Sequence, residues 1–558
     1  MKARFFTLLA ILLLIIIGFV VYLNLSKDRD TQNNDIPSET ISPKPTNTPT
    51  PTVTPTTAPI SESVTDLYPA SQEIDGKKVY GYIDSSGTFV IKPAFDEAND
   101  FHSNYAIVYM DEKYLAIDTM GNIFYTSKNP IGDFYNDTAI ISRYGGDQTL
   151  YGYINKDGKE IIKPQYELVS NFGKEDTAYV YSGKGKYALI NKLGKTLESY
   201  ELDSKYNPLF IEDGYVIYYN SKGNYGVVKL TGEEIIKDDY SEISYIGKDL
   251  FALKAKHEDT SAINSTLPAA FYDSKGTQLT DYLLYDISSH NGYISTTDDT
   301  FTYFIGPDGQ ALSGLPKFEG RGTVTMFGDV IKADIDGKLA YYKKDYTLIW
   351  QEDTFQTLSQ GIIAKEIKFK HNKYAYTYYP RIEGLSNKTA EDTINVKLRS
   401  LFVDSRKDLL PNVSVADTFK ASIMKNLLVV ERNGYDYPFG AAHGMPIRDC
   451  YYMDINSGSL YEFKDLFIAD SDYVTKINEF ISTEIAIRST DDDSMYFDSP
   501  FNGIPEKPYF KVSTKALTIY FYPYDIAAYA AGFVEFEISF QSLYDYIDFN
   551  GAFWNAFK

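Results

Sequence analysis

The chain has little of what most enzymatic chemistry is built from. Among 558 residues there is one cysteine, Cys450, so no disulfide forms within the chain and no thiolate pair is available for zinc. The five histidines, His102, His257, His290, His371 and His443, stand more than 30 residues apart, which excludes the helical histidine pair of zinc proteases. No G-x-S-x-G elbow, phosphate-binding loop or dinucleotide fingerprint occurs. Positive charge is also short: 54 Lys and Arg face 76 Asp and Glu, a formal net charge of -22. That balance excludes a general nucleic-acid binder, because neutralising phosphates needs clustered cations. The inventory predicts no catalytic residue, no metal, no cofactor and no enzyme. The alternative, an enzyme acting on cell-wall glycan, needs two carboxylates converging on one cleft, which residue order does not reveal.

What is abundant points to β structure. There are 50 Tyr and 34 Phe against 2 Trp, and tyrosine suits strands because its ring packs while its hydroxyl stays wet. Hydrophobic residues at 44% are enough for a real core.

The N-terminal segment is different in kind. After Met1-Lys2-Ala3-Arg4 comes an uncharged apolar run from Phe5 to Ser26. As a helix of about 20 residues rising roughly 1.5 Å each, it matches a hydrocarbon layer about 30 Å thick. Val20-Val21-Tyr22-Leu23-Asn24 offers no small-x-small cleavage site, so the run is read as an uncleaved single-pass anchor, with Phe5–Leu25 in the membrane. Residues 27–66 are polar and rich in Pro and Thr, as in Pro43-Lys44-Pro45-Thr46. Proline at this density favours extended, unpaired backbone, hence a stalk. The expectation is a cell-membrane protein with the bulk of the chain outside.

From about Leu67 a repeat appears. Tyr151-Gly152-Tyr153-Ile154-Asn155-Lys156-Asp157-Gly158 continues to Ile161-Ile162-Lys163-Pro164-Gln165-Tyr166. The same string stands at Tyr80–Asp96, and a third copy runs from Tyr225 to Tyr240. Weaker copies follow Tyr114, Tyr187, Phe271 and Tyr303, and a degenerate eighth sits at Ala340–Tyr346. The turn glycines 87, 121, 158, 194, 232, 276 and 309 are 34, 37, 36, 38, 44 and 33 residues apart. Each unit reads as two strands about a tight turn, then a short segment and an alternating strand, the size of a propeller blade. The predicted fold is therefore mainly β: a repeat array over residues 67–366, a seven- or eight-bladed β-propeller, with an open β array as the other solution. The string resembles the WG repeat of bacterial surface proteins, with Tyr80, Tyr151 and Tyr225 in place of tryptophan. The resemblance implies a scaffold and no particular activity.

Near residue 366 the period is lost, and residues 367–558 read as a smaller α+β domain. Thr389 with Asp392 marks a helix start, and Ile394, Leu398, Leu401 and Phe402 share a face. A second helix is predicted over 472–487 with Val474, Ile477, Ile481 and Ile485 as its apolar stripe. Strands are predicted at 413–419, 427–433, 450–455, 517–522 and 534–540. Two segments carry a second resemblance. Tyr437-Pro438-Phe439-Gly440-Ala441-Ala442-His443-Gly444 leads into Tyr451–Gly458, and Tyr520–Gly532 forms the other half. Together they resemble the extracellular domain of lysozyme-sensing anti-sigma factors and the N-terminal part of some peptidoglycan deacetylases. The resemblance implies a binding module at the surface of a Gram-positive-type bacterium. It brings no signalling or catalytic part, because neither a cytoplasmic segment beyond Met1–Arg4 nor a metal-bound Asp-His-His set accompanies it. The candidate ligand-binding residues are Tyr435, Tyr437, Phe439 and His443, which crowd a turn of small residues. The expected partner is a cell-wall polymer or an extracellular protein such as a basic lysozyme, drawn by the acidic charge. Cys450, in a tyrosine-rich strand, is expected to be a buried small hydrophobe.

Overall fold

In the computed structural model, residues 66–74, 77–146, 148–254, 267–359, 361–408, 412–490 and 495–558 are described. The predicted anchor and the stalk up to residue 65 lie outside them, as does His257. Among the described residues no helix is long and apolar enough to cross a membrane.

The repeat region is a run of eight antiparallel sheets over residues 68–95, 97–127, 131–166, 168–201, 207–240, 243–272, 285–319 and 322–351. The first and sixth have three strands and the others four, each strand pairing with its neighbour in sequence. The sequence period and the sheets are out of phase. The unit beginning at Tyr151 gives the last two strands of the third sheet, then the first two of the fourth, Leu168–Val169 and Thr177–Tyr181. No unit can bury its apolar face alone, and splitting each one across two sheets ties neighbours covalently as well as by packing.

The repeated residues have definite jobs. Tyr151 lies opposite Tyr166 and Tyr153 opposite Ile162, so Gly152 alone faces Lys163-Pro164-Gln165 in a bulge. A Cβ on Gly152 would stand 2.4 Å from the Ile162 carbonyl oxygen and 2.6 Å from the Pro164 nitrogen, so only glycine fits. Pro164 lacks an N–H and is tolerated where the ladder is already broken. Gly81 and Pro93 repeat this geometry in the first sheet. At the hairpin tip Asn155 Oδ1 accepts from the N–H groups of Asp157 (3.1 Å) and Lys159 (2.9 Å), and Gly158 takes φ +73°. All seven turn glycines predicted from the period have positive φ. In the degenerate eighth unit Tyr346 adopts φ +70° in the place of glycine, its ring stacked on Tyr342 at 5.1 Å.

The second tyrosine of the motif stitches sheets together. Tyr82 donates to the Asn99 carbonyl (2.9 Å) and Tyr153 to the Ser170 carbonyl (2.7 Å), each in the following sheet. Tyr341, on the third strand of the eighth sheet, makes the same bond to Pro69 of the first (2.7 Å). Tyr68 and Ala70 of the first sheet share an apolar cluster with Phe327, Val330 and Tyr341 of the eighth.

The eighth sheet ends at Gln351 and a new one opens at Phe355, so the loss of period at 366 falls inside the strand Ile362–Asn372. That strand keeps the alternation of the repeats, which is why composition hid the change. The new sheet has seven strands: 355–359, 362–372, 375–383, 413–424, 427–438, 445–454 and 460–461. All pairings are antiparallel except 375–383 with 413–424, whose crossover is the helix Lys388–Phe402. Ile394, Leu398 and Phe402 of this helix bury against Ile382, Phe419, Leu428 and Val430. Its cap is Asn387, accepting from the N–H groups of Thr389 (3.1 Å) and Ala390 (3.3 Å), so Thr389, the predicted start, lies two residues past the cap. The other face packs on the helix Tyr473–Arg488 and on a three-stranded sheet of 509–512, 516–521 and 534–539. Ile477 and Ile481 are buried there, whereas Val474, expected in the stripe, is exposed and its neighbour Tyr473 takes the inward place, stacked on Phe467 at 4.0 Å.

Candidate functional site

The hairpin joining strands 427–438 and 445–454 carries the predicted residues, and the structure sorts them into three roles. Gly444 is buried at the hairpin's return, where a Cβ would meet the Asp436 carbonyl oxygen at 2.5 Å. Its N–H donates to Tyr435 Oη (2.9 Å), and its carbonyl accepts from Tyr529 Oη (3.0 Å) and from His443 Nδ1 (3.0 Å). A carbonyl cannot donate, so Nδ1 carries a proton, and in that tautomer Nε2 accepts from Tyr524 Oη at 2.9 Å. The His443 ring lies 3.9 Å from the Tyr529 ring and 5.8 Å from that of Tyr524. Burial, then the bond to Tyr435, pushes the Tyr529 phenol up, so it stays a neutral donor. Tyr435 and Tyr524 are 42% and 51% exposed, so this set of rings opens to solvent.

Tyr437 and Phe439 do other work. Tyr437 Oη donates to the Ala441 carbonyl (3.2 Å), bracing the hairpin loop. Phe439 turns away to meet Tyr374 edge-on at 4.8 Å, and Tyr374 lies beneath the Arg321 guanidinium at 4.6 Å. Phe439 thus belongs to the junction with the repeat region. Residue order missed Tyr524 and Tyr529, although both stand in the second half of the recognised motif; the available signal was that Tyr524 follows a Tyr-Pro pair whose turn sets it at φ +74°.

Behind the hairpin lies a buried charge network. Asp417 is 0% exposed and holds two guanidiniums, Arg432 at 2.8 Å and Arg406 at 3.0 Å, with Thr377 Oγ1 donating at 3.0 Å. Arg406 also pairs with Asp436, and Arg432 reaches Asp449 at 3.7 Å. Burial pushes the Asp449 carboxyl up, against the pull of Arg432. The network fixes the strands that carry the aromatic residues. Cys450 is half-buried, its thiol pushed up to about 11 by burial and then by Glu431, which leaves it an inert thiol. Among the described residues no three His, Cys, Asp or Glu side chains are grouped to hold a metal.

A second concavity of about 300 Å3 lies where the first sheet, the eighth sheet and the C-terminal sheet meet. Two glutamates face it. Glu352 is paired with Lys78 at 2.6 Å and Glu366 with Lys338 at 2.7 Å. Burial pushes the Glu366 carboxyl up, opposed by Lys338 and reinforced by the charge of Glu352.

Residues 80–114 and 151–187 match the model of the WG containing repeat, and residues 464–541 match a protein family of unknown function, DUF3298. No curated protein is significantly similar to the chain. Among solved structures, a DUF3298 protein from Bacteroides fragilis is similar at 17% identity, over 33% of this chain and 92% of that one, with a TM-score of 0.26. A DUF3298 protein from Pseudomonas aeruginosa is similar at 15% identity, over 35% and 95%, with a TM-score of 0.26. BamB from Moraxella catarrhalis is similar at 14% identity, over 52% and 94%, with a TM-score of 0.29.

Proposed function

We propose that this is a non-enzymatic, membrane-anchored protein of the bacterial surface whose C-terminal domain binds a cell-wall polymer. The observation that carries the reading is the solvent-facing set of Tyr435, His443, Tyr524 and Tyr529. Flat rings with edge hydroxyls stack on the apolar face of a sugar while bonding its hydroxyl groups, the combination a glycan needs. The resemblance of this domain to lysozyme-sensing anti-sigma factors and peptidoglycan deacetylases supports a place at the wall. The eight sheets are read as blades of a closed β-propeller, supported by the shared tyrosine stitch and the Tyr68 cluster between first and eighth. The ring is a scaffold on a stalk anchored through Phe5–Leu25.

Sedimentation of the purified protein with insoluble peptidoglycan tests the reading. Tyr524→Ala is expected to lower the bound fraction about tenfold, the loss typical of a central aromatic anchor. Binding that is absent, or indifferent to Tyr524, removes this surface from the function.

A wall-glycan hydrolase is the second reading, because Glu352 and Glu366 face one cleft. Each is already held by a lysine, which suits an interdomain lock better than a proton donor and a nucleophile. Release of soluble sugars from peptidoglycan, lost in Glu366→Gln, would establish it.

A further inference from the structure

We infer that the three-way cleft between the first sheet, the eighth sheet and the C-terminal domain takes the ammonium group of a lysine side chain from a basic polypeptide. This goes beyond the aromatic surface at the distal hairpin and does not depend on it.

Both lysines that line the cleft lie between a carboxylate and an aromatic ring. Lys338 Nζ sits 2.7 Å from Glu366 and 5.1 Å from the centre of the Tyr378 ring. Lys78 Nζ sits 2.6 Å from Glu352 and 5.5 Å from the centre of the Tyr80 ring. One more ring and two more carboxylates line the cleft, with Glu73 opposite Lys78 in the strand register. Phe355 is 49% exposed, and Glu73 and Asp353 at the same rim are exposed and have no ion pair among the described residues. Asp336, deeper in the wall, is spoken for by Lys368 and by the Arg321 N–H at 3.0 Å.

Size and charge narrow the guest. About 300 Å3 is at the small end of ligand sites, room for one side chain or one sugar ring. Five carboxylates, Glu73, Asp336, Glu352, Asp353 and Glu366, line it against Lys78 and Lys338. An ammonium on an apolar stem satisfies both the carboxylates and the Phe355 face. A neutral sugar ring could stack on Phe355 but would leave Glu73 and Asp353 without a cation, and it finds no second face, because Tyr376 and Tyr378 meet edge to face at 69° and Lys338 already covers Tyr378. The net charge of -22 draws a basic polypeptide to the molecule at long range.

The test is calorimetric titration of the full-length chain in detergent with tetralysine at low salt. The controls are Nε-acetylated tetralysine and a fully deacetylated chitosan tetramer. The double variant Glu73→Gln, Asp353→Asn is expected to weaken tetralysine binding about tenfold. The double variant Glu112→Gln, Glu175→Gln removes the same charge from exposed sites elsewhere and is expected to change it less than about twofold. Phe355→Ala should weaken binding with no change in charge. Equal losses in both double variants would show general attraction only and overturn the proposal, as would no binding by the parent chain. Tighter binding of the chitosan tetramer than of tetralysine would assign the cleft to an amino sugar instead. The thermal midpoint of each variant separates lost binding from lost folding.

Discussion

Asp417 shows how much one carboxylate can organise. Two arginines, from a 3-10 turn and from a neighbouring strand, converge on it in a site closed to water. Removing one partner of such a pair strands buried charge, which costs far more than the pair contributes when intact. Asp417→Asn is therefore expected to lower the stability of the C-terminal domain by about 3–5 kcal/mol, read as a shift of the urea midpoint. A loss below about 1 kcal/mol would mean water reaches the guanidiniums. None of this was legible in the sequence, because Asp417, Arg406 and Arg432 carry no spacing signal; three separate elements bring them together. The close turn that carries His443 was legible, since small residues beside aromatic ones mark one. Phe439 was not, because its destination, Tyr374, belongs to another strand.

At the scale of the hairpin, the Asp that stands three residues before the turn glycines 87, 121 and 276 makes the protein sensitive to acid in a defined way. The Ser86 hydroxyl, then the N–H groups of Thr88 and Ser86, hold the Asp84 carboxyl below the usual carboxylate range. The Thr277 N–H leads the same effect at Asp273. At Asp118 burial pulls upward, but the bonds from Asn122 and Met120 prevail. A carboxyl whose folded value is depressed contributes stability fully above its unfolded value, near 4, and loses it as pH falls through the folded value. The turns should accordingly loosen below about pH 4. Asn155, Asn191 and Asn220 already accept the same bonds without titrating. The triple variant Asp84→Asn, Asp118→Asn, Asp273→Asn should thus keep its melting temperature at pH 7 and move the acid midpoint of the near-ultraviolet dichroism to lower pH. An unmoved midpoint would place acid sensitivity elsewhere, in the buried ion pairs. The hairpins were the most legible part of the fold, since Asn-x-x-Gly and Lys-Pro report local backbone geometry. The sheets were less so: the period gave the unit but hid its phase, because a sheet boundary leaves no residue signature where the strands on either side alternate alike.

At the scale of the whole molecule, the seam between the first and eighth sheets joins residues more than 250 positions apart by the same tyrosine bond that joins adjacent sheets. Tyr68 is 2% exposed there, against Phe327 at 6.1 Å and Tyr341 at 5.4 Å. Tyr68→Ala should cost about 3–5 kcal/mol and enlarge the radius of gyration measured by small-angle scattering, whereas Tyr341→Phe should cost only about 1 kcal/mol. If Tyr68→Ala left the scattering profile unchanged, the seam would be a minor contact. The acidic surface adds a uniform self-repulsion that salt relieves, so both variants should recover some stability in added sodium chloride.

The seam also decides where a pull is felt. Lys78 and Ser71 of the first sheet reach Glu352 at the exit of the eighth, and Lys338 reaches Glu366 in the strand beyond. The chain therefore enters and leaves the repeat region side by side. Tension between residue 66 and the C-terminal domain therefore bears first on these contacts of the first and eighth sheets.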